Sequence, residues 1–292
     1  MMFGQVLTAM VTPFNEQMEV DYDKAQKLAD YLVSNGNDGI VVAGTTGESP
    51  TLSHKEKLKL FQVVKDAVGD KAIVIAGTGS NSTKDSIELT KEAAKIGVNG
   101  VMLVAPYYNK PSQEGLYQHF KAVAEAASLP VLLYNIPGRT GINIAPETLA
   151  RLARLEQIKG VKEASGDLEQ VSRIKMLCGD SLAVYSGDDS LTLPILSVGG
   201  CGIISVAGHI AGKEIKNMVE LYFSGHTAEA AIAHRDLYNV FKAMFVTANP
   251  VPVKYALQLK GLDVGSVRLP LVEADEEQKK VIKNALEKAN LL

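Results

Sequence analysis

The sequence predicts an α/β protein: a (β/α)8 barrel, the TIM-barrel architecture, over residues 1–224, followed by a C-terminal helical region over residues 225–292. Apolar segments with strand composition alternate along the chain with amphipathic segments of helical periodicity. Several strand segments, most clearly Ala72–Ala76, are apolar throughout, which is typical of parallel strands covered on both faces. Eight strand–helix units fit a closed barrel, and a doubly wound open sheet is the competing fold.

The elements of the barrel can be assigned in order. The predicted strands are Gly4–Val11, Gly39–Gly44, Ala72–Thr78, Gly100–Pro106, Val131–Pro137, Ile158–Ala164, Ala183–Gly187 and Gly202–Ala207. Helical patterns lie between them, such as Tyr22–Ser34, His54–Val68 and Thr83–Ile96. In the third of them the apolar residues form a stripe along one face, as in an amphipathic helix.

After residue 224 the pattern is helical only. Apolar stripes run through His226–Val246 and Glu273–Leu292, and between them Pro250 and Pro252 open a helix that Gly261 closes. Three amphipathic helices need a surface to cover. We therefore expect them to pack on the outside of the barrel or to contribute to a subunit interface.

Composition and charge exclude several functional classes. The 292 residues are 46% hydrophobic, enough for a large core, and the net charge of −3 gives no electrostatic case for nucleic acid or an anionic membrane. No apolar stretch reaches the ~18 residues of a membrane span, and Met1–Gly4 begins no signal peptide. Cys178 and Cys201 are too few for a disulfide framework, so we expect free thiols and a cytoplasmic protein.

Lys162 is the most informative residue for chemistry. Side-chain alternation along its strand places Gly160 and Ala164 on the same face, which leaves room for a substrate beside the amine. Taken alone, Lys162 would be better explained as a surface charge on an edge strand, because lysine is rarely buried unpaired. Tyr134, however, lies near the end of the preceding strand, as Lys162 does in its own. The two side chains are therefore a candidate acid–base pair on parallel neighbours.

The C-terminal ends of the strands, where such barrels carry their chemistry, are polar here. The loops that follow the second, fourth, fifth and seventh strands contain Gly44–Ser49, Tyr107–Lys110, Pro137–Gly141 and Gly187–Asp189. Their glycines allow close backbone approach, and their hydroxyls and Arg139 can donate to a carboxylate. Ordinary turn chemistry is the alternative, and it suits Gly187–Asp189, which could simply cap the next helix.

The sequence contains no convincing motif for binding a nucleotide or a metal ion. Gly208–Glu214 is one residue short of a P-loop, and Gly77–Gly79 lacks the third glycine of a dinucleotide fingerprint. The histidines show no pairing at ligand spacing, which disfavours a metal-dependent mechanism. We expect His119 and His234 to lie on helices as surface or interface residues.

Three motifs together resemble those of the 4-hydroxy-tetrahydrodipicolinate synthase family, also called dihydrodipicolinate synthase. They are Gly44–Glu48 (GTTGE), Tyr134–Thr140 (YNIPGRT) and Gly160–Ala164 (GVKEA). The resemblance runs nearly end to end, from Leu7–Phe14 to Asn249–Lys254. The wider superfamily includes N-acetylneuraminate lyase and 2-keto-3-deoxy sugar-acid aldolases. Its members are (β/α)8 barrels in which a lysine forms a Schiff base with a 2-keto acid.

This resemblance implies catalytic roles for four residues. Lys162 would form the Schiff base with pyruvate. Tyr134, Thr45 and Tyr108 would relay protons, with Tyr108 entering the site of a neighbouring subunit. No cofactor or metal is implied, because the imine serves as the electron sink.

Four further residues would bind substrate according to the same resemblance. Thr46 and the backbone near Ile204 would hold the pyruvate carboxylate. Arg139 would bind the carboxylate of L-aspartate 4-semialdehyde, and Gly187 would offer a carbonyl to its amine.

The implied function is the condensation of pyruvate with aspartate 4-semialdehyde, the first committed step of diaminopimelate and lysine biosynthesis. The implied assembly is a homotetramer, a dimer of dimers. One alternative is a sister aldolase for sialic or keto-deoxy sugar acids, against which Arg139 argues because a polyol tail has no carboxylate to pair with it. The other alternative is a non-catalytic barrel that binds a keto acid.

The family resemblance also implies a possible allosteric cleft for lysine between subunits. The matching positions are Ser49, Pro50, His54, Lys57, Asn81, Asp85 and Tyr107. The sequence departs from the lysine-sensitive pattern at Lys57, where histidine or an acid is usual, and at Asp85, where glutamate is usual. The Lys57 charge would repel the ligand and the shorter Asp85 would not reach it, so we expect weak or absent inhibition. The alternative is that Lys57 swings aside into solvent.

Overall fold

The computed structural model describes residues 3–292, and its centre is a closed barrel of eight parallel strands that neighbour one another in sequence order. The strands are β1 (Val6–Ala9), β2 (Gly39–Val42), β3 (Ile73–Gly77), β4 (Gly100–Val104), β5 (Val131–Asn135), β6 (Ile158–Glu163), β7 (Ala183–Ser186) and β8 (Gly202–Ser205). The predicted (β/α)8 fold is confirmed, and the open doubly wound sheet is excluded because that fold leaves two edges unpaired.

Twelve α-helices accompany the strands in the described residues. They are α1 (Tyr22–Ser34), α2 (His54–Val68), α3 (Thr83–Ile96), α4 (Gln113–Ala126), α5 (Pro137–Thr140), α6 (Pro146–Leu152), α7 (Leu168–Cys178), α8 (Thr192–Ser197), α9 (Gly208–Phe223), α10 (Thr227–Ala243), α11 (Val251–Leu259) and α12 (Glu276–Lys288). Short 3₁₀ turns occupy Ser49–Thr51, Gly179–Ser181 and Asp189–Leu191.

The bounds predicted for α1, α2 and α3 are confirmed, and capping explains them. The side chain of Asp21 accepts the amide of Lys24, and Ser53 forms a capping box with Glu56 before α2. A capping side chain satisfies amide groups that the first turn cannot pair internally. Gly97, at φ 84°, ends α3 in the left-handed conformation that glycine adopts without strain.

Several strands are shorter than predicted, because side chains and loop backbone take over from sheet pairing at their ends. Before β1, the Oδ2 atom of Asp38 accepts the amides of Gln5 and Val6 at 2.7 and 3.0 Å. Gln5 is thus bonded to a side chain instead of a strand. The segment Gly4–Val11 does contain a strand, as predicted, but only Val6–Ala9 pairs in the sheet, because apolar residues continue past the end of the strand.

Two compact units are distinguished by internal contacts, and each is described by itself below. One comprises the residues up to Ile73 together with Ser205–Leu292, and the other comprises Val74–Ile204. In the first unit, the three predicted C-terminal helices exist: α10 and α11 pack against α9, and α12 packs against α10 and α11. The boundary at residue 224 stays a prediction. No helix among residues 3–292 has the length and apolar character needed to cross a bilayer.

Candidate active site

Lys162 and Tyr134 lie side by side on neighbouring strands of the second unit. β5 and β6 pair with Tyr134 directly opposite Lys162. The two residues are 3% and 4% exposed, and the Nζ atom of Lys162 lies 4.5 Å from the ring centroid of Tyr134. The adjacency expected from the sequence is confirmed, and Lys162 is not the surface charge that the residue type alone would favour.

Burial changes the chemistry of the Lys162 amine. Desolvation lowers its pKa from 10.5 to about 8, because the charged form loses its water. The carboxylate of Asp189 opposes this shift and the guanidinium of Arg139 adds to it. At pH 7, about one amine in ten is therefore neutral, against one in ~10³–10⁴ for a free lysine. The neutral amine is the form that attacks a ketone.

Gly187 provides the space in which the Lys162 side chain lies. A Cβ atom built on Gly187 would lie 3.1 Å from both Cγ and Cε of Lys162, and 2.7 Å from Cβ of Ala164. The amide of Gly187 donates to the carbonyl of Glu163 at 2.8 Å, which holds the two backbones together. Any larger residue at this position would displace the lysine.

The two aspartates after Gly187 differ in environment. Asp188 accepts the amide and the hydroxyl of Ser190, both at 2.8 Å, so the capping explanation holds for Asp188. Asp189 is 1% exposed, and its charge acts on Lys162. The sequence does not distinguish Asp189 from Asp188, because the two aspartates are adjacent and no local pattern separates them.

Arg139 lies in α5, directly after β5. The hydroxyl of Thr140 donates to the carbonyls of Ile136 and Ile142 at 3.0 and 2.9 Å, and Gly141 ends the turn at φ 72°. The Arg139 side chain is exposed, and no ion pair or hydrogen bond engages it within residues 3–292. Its guanidinium is therefore available to a carboxylate from solution.

The loop after β2, in the first unit, carries Thr45 and Thr46. Thr46 is 2% exposed, and its Oγ1 atom accepts the side-chain amide of Asn249 at 3.0 Å. Because Thr46 accepts this bond, its own hydroxyl hydrogen can be donated elsewhere. Thr12 donates to the carbonyl of Gly47 at 2.7 Å and anchors the loop further. The contact with Asn249 spans 203 residues of sequence, and no local pattern predicts it.

A buried ion pair stabilises the same loop. The Nζ atom of Lys254 lies 2.8 Å from Oε1 of Glu48, with the two side chains 3% and 1% exposed. Glu48 has φ 54°, a left-handed conformation that is strained for glutamate. Its Oε2 atom accepts the amide of Arg268 at 2.9 Å, and Lys254 also donates to the carbonyl of Ser266 at 2.6 Å. Burial lowers the pKa of Lys254 to about 8, and the charge of Glu48 opposes that shift.

Tyr107 and Tyr108 lie in the loop after β4, in the second unit. Tyr108 is 90% exposed and has φ 72°. The amide of Asn109 donates to the carbonyl of Tyr107 at 2.9 Å, and its side chain donates to the carbonyl of Asn81 at 3.0 Å. A left-handed tyrosine costs of order 1–3 kcal/mol. The loop therefore keeps the backbone of Tyr108 in an unfavourable conformation while its ring is exposed to solvent.

Two histidines, His209 and His119, are buried and hydrogen-bonded within the fold. In the first unit, the Nε2 atom of His209 accepts the amide of Val11 at 3.0 Å, and its Nδ1–H donates to the carbonyl of Val206 at 2.8 Å. The prediction that His119 lies on a helix is confirmed, but the expected surface or interface position is wrong. It is on α4 but only 6% exposed, with its Nδ1 atom 2.9 Å from the hydroxyl of Thr83. Burial lowers the pKa of each ring to about 4.

Comparison with known proteins decides the family. The model of the Dihydrodipicolinate synthetase family matches residues 2–289. This chain belongs to that family. The 4-hydroxy-tetrahydrodipicolinate synthase of Desulforamulus reducens is 59% identical over 291 residues, covering 99% of this chain and 98% of the relative. The enzyme of the same name from Bacillus subtilis is 58% identical over 280 residues, covering 96% and 97%.

Solved structures of the dihydrodipicolinate synthetase family agree with the fold. One is described as the crystal structure of DHDPS from Cyanidioschyzon merolae with lysine bound. It superposes on this chain with a TM-score of 0.98 at 51% identity and covers 100% of this chain and 99% of its own. Identity at this level, over the full length, exceeds what is needed to infer a common fold.

The roles that the resemblance implies for the remaining positions stay predictions. Ile204 is buried in β8. The cleft positions Pro50, His54 and Asp85 are exposed, and Ser49, Lys57, Asn81 and Tyr107 are partly exposed. Burial lowers the pKa of Lys57 on α2.

The described part of the chain offers neither a cluster of metal ligands nor a reactive thiol. Within residues 3–292, no group of three or more His, Cys, Asp and Glu side chains is arranged to hold a metal ion. Cys178 and Cys201 are both free. Burial raises the pKa of the Cys201 thiol to about 11, which makes it a poor nucleophile at neutral pH.

Proposed function

We propose that this protein is a lyase that condenses pyruvate with L-aspartate 4-semialdehyde through a Schiff base on Lys162, to give 4-hydroxy-tetrahydrodipicolinate. The observation that carries the proposal is the buried Lys162 amine, with its pKa lowered to about 8, opposite Tyr134 in a chain that the family model matches over residues 2–289. The step belongs to diaminopimelate and lysine biosynthesis.

Imine formation comes first. The neutral amine of Lys162 attacks C2 of pyruvate and forms a carbinolamine. Tyr134 delivers a proton to the departing hydroxyl, water leaves, and an iminium ion remains. Thr45 and Tyr108 are assigned to the proton relay by the family resemblance, and these two roles are part of the proposal.

The iminium ion then acts as an electron sink. Loss of a proton from the pyruvate methyl group gives an enamine, and its carbon attacks the aldehyde carbon of the second substrate. The aldehyde oxygen, now an alkoxide, takes up a proton and becomes a hydroxyl. The amine of the second substrate attacks C2, the bond from C2 to Lys162 breaks, and the ring closes as a cyclic imine. The proton balance needs no external oxidant, reductant or cofactor.

Substrate orientation is assigned by the same proposal. Thr46 and the backbone near Ile204 would hold the pyruvate carboxylate. Because the Thr46 hydroxyl accepts the side-chain amide of Asn249, its own hydrogen can be donated to that carboxylate, which supports this role. Arg139 would pair with the carboxylate of the semialdehyde, and its free, exposed guanidinium supports this. The carbonyl of Gly187 would accept from the semialdehyde amine.

The assembly and location belong to the proposal as well. We infer a cytoplasmic homotetramer, a dimer of dimers in which each Tyr108 enters the neighbouring site. The outward ring of Tyr108 supports a shared site. We also infer a lysine cleft that binds lysine weakly. The similar structure from Cyanidioschyzon merolae is described as lysine-bound, so measurement of inhibition is warranted for this chain.

Covalent trapping tests the proposed function. Incubation with pyruvate and borohydride should add one reduced pyruvate per chain, on Lys162, as seen by mass spectrometry. Lys162→Ala and Lys162→Arg should show none, because arginine stays charged and cannot form the imine. An unchanged adduct in Lys162→Ala would refute the assignment. Formation of ring product from the two substrates separates this function from sister aldolases, and a keto-acid sensor need not trap pyruvate at all.

A further inference from the structure

A second buried charged residue follows Lys162 in β6. Glu163 is 1% exposed and lies opposite Asn135, one step beyond the Tyr134–Lys162 pair. Strand alternation places Asn135 and Glu163 on the face opposite to that pair. Within residues 3–292, no lysine, arginine or histidine forms an ion pair with Glu163. A buried carboxylate of this kind is tolerated only when hydrogen bonds replace its water.

Neutral donors supply those hydrogen bonds. The Nδ2 atom of Asn135 donates to both oxygens of Glu163 at 3.1 and 3.0 Å. The side chain of Gln170 donates to Oε2 at 3.1 Å, and the amide of Ser165 donates to Oε1 at 2.7 Å. An ionised carboxylate accepts all of them, because it has two oxygens and no hydrogen of its own.

The same side chains hold both ends of the segment that carries Arg139. Asn135 donates to the Oδ1 atom of Asn143 at 2.7 Å and accepts the amide of Ile144 at 3.0 Å. Asn143 and Gln170 exchange two further bonds at 2.6 and 3.2 Å. Residues 136–142 therefore form a loop whose start and end are bonded to one another, and Glu163 accepts from two of the side chains that bond them.

We propose that Glu163 is a positioning residue for the second substrate. Its carboxylate orients Asn135 and Gln170, these fix Asn143, and the loop between them sets the position of Arg139. Glu163 thus acts on binding of the semialdehyde and leaves the chemistry of Lys162 on the other face unchanged. The proposal rests on the proposed function, which assigns Arg139 to that substrate.

The charge of Glu163 is essential to this role, since every partner is a donor. Glu163→Gln keeps the shape but turns an amide group toward other donors, and the network must open. Glu163→Gln combined with Gln170→Glu keeps one amide and one carboxylate at the contact and can reverse the bond between them. This exchange should restore the bond between positions 163 and 170. Glu169→Gln, an exposed carboxylate on α7, is the matched control.

Steady-state kinetics with both substrates are the first measurement. Glu163→Gln should raise KM for the semialdehyde about tenfold, the effect of losing about 1.4 kcal/mol of binding. Pyruvate trapping should be unchanged, the double variant should recover, and Glu169→Gln should match the parent. Loss of pyruvate trapping in Glu163→Gln would overturn the proposal, and so would an unchanged KM for the semialdehyde.

Hydrogen exchange supplies a readout that does not depend on activity. In Glu163→Gln, the amide of Ile144 should exchange about tenfold faster, while β5 and β6 keep their protection. If that variant does not fold, Asn143→Ala releases the loop and leaves all three donors of Glu163, Asn135, Ser165 and Gln170, in place. Unchanged exchange and unchanged KM in Asn143→Ala would overturn the proposal. If the parent forms no ring product the proposed function fails, and exchange still decides whether Glu163 holds this loop.

Discussion

The reactivity of Lys162 is created by the residues that enclose it. Burial lowers the pKa of its amine, Asp189 limits the shift, and Gly187 leaves the space in which the side chain lies. An amine that is costly to charge is also costly to bury. The burial that would make Lys162 a nucleophile in the proposed function therefore lowers the stability of the folded protein.

Replacement of Lys162 by Met should abolish activity and stabilise the fold. A folded-state pKa of about 8, against 10.5 when unfolded, corresponds to at most about 3 kcal/mol at pH 7. The unfolded chain binds more protons between these values, so the penalty is complete below pH 8 and disappears as pH rises toward 10.5. Urea unfolding at pH 7 and pH 10 checks this. A gain that is equal at both pH values would contradict the charge explanation.

Replacement of Arg139 by Ala should weaken use of the semialdehyde while pyruvate is still trapped. A charge-assisted hydrogen bond to a carboxylate contributes ~1.5–3 kcal/mol, so kcat/KM for the semialdehyde should fall about tenfold to a hundredfold. Kinetics against each substrate in turn, with the exposed Arg235→Ala as control, make the measurement. Failure of pyruvate trapping with normal use of the semialdehyde would mean that the two carboxylate assignments are reversed.

At the scale of elements, the C-terminal helices hold a loop that belongs to the start of the chain. Lys254 of α11 pairs with Glu48, and Asn249 just before α11 donates to Thr46. Arg268, after α11, donates its amide to Glu48 and pairs with Glu56 of α2. The left-handed conformation of Glu48 persists because these contacts outweigh its local cost.

Lys254→Met should destabilise the protein by ~3–5 kcal/mol, because it leaves the carboxylate of Glu48 buried without its cation. The double variant Glu48→Gln with Lys254→Met should recover most of that loss, since no charge then remains buried. Urea unfolding of the parent and the three variants completes a double-mutant cycle. Equal stability of Lys254→Met and the double variant would show that the ion pair is not what the loop depends on.

At the scale of the whole molecule, the chain exposes a tyrosine to which the proposed assembly would give a role. Tyr108 is exposed in a strained conformation, and a lone subunit has little reason to keep it so. A dimer with isologous contacts would give both subunits the same exchange of tyrosines.

Mixing of two inactive variants tests the shared site. Tyr108→Phe should lack a proton-relay hydroxyl, and Lys162→Ala lacks the nucleophile. Refolded together in equal amounts, they should recover about a quarter of parental activity, because one site in four then combines an intact Lys162 with an intact Tyr108 from its partner. Each variant refolded alone is the control. No recovery, or an active monomer by light scattering, would contradict exchange of Tyr108.

Regulation by lysine is expected to be weak. At ~4 Å two like charges cost from ~1 kcal/mol in water to ~4 kcal/mol at an effective dielectric of 20, and a penalty of ~3 kcal/mol raises an inhibition constant more than a hundredfold. Titration of L-lysine should give half-inhibition above about 1 mM. Lys57→His should increase inhibition, whereas Lys55→His, an exposed position on the same helix, should not. Half-inhibition of the parent below that concentration would contradict the repulsion argument.

The sequence by itself determined the order and type of the barrel elements and the neighbourhood of Lys162 and Tyr134. These depend on local periodicity and on the rule that consecutive parallel strands are neighbours, so short stretches of sequence contain the information. Only the tertiary structure decided that Asp189 and not Asp188 acts on Lys162, that Lys254 neutralises Glu48, and that His119 is buried. Each of these three features depends on residues that the fold brings together from distant parts of the sequence or turns to different sides of the chain. A local sequence pattern does not contain that information.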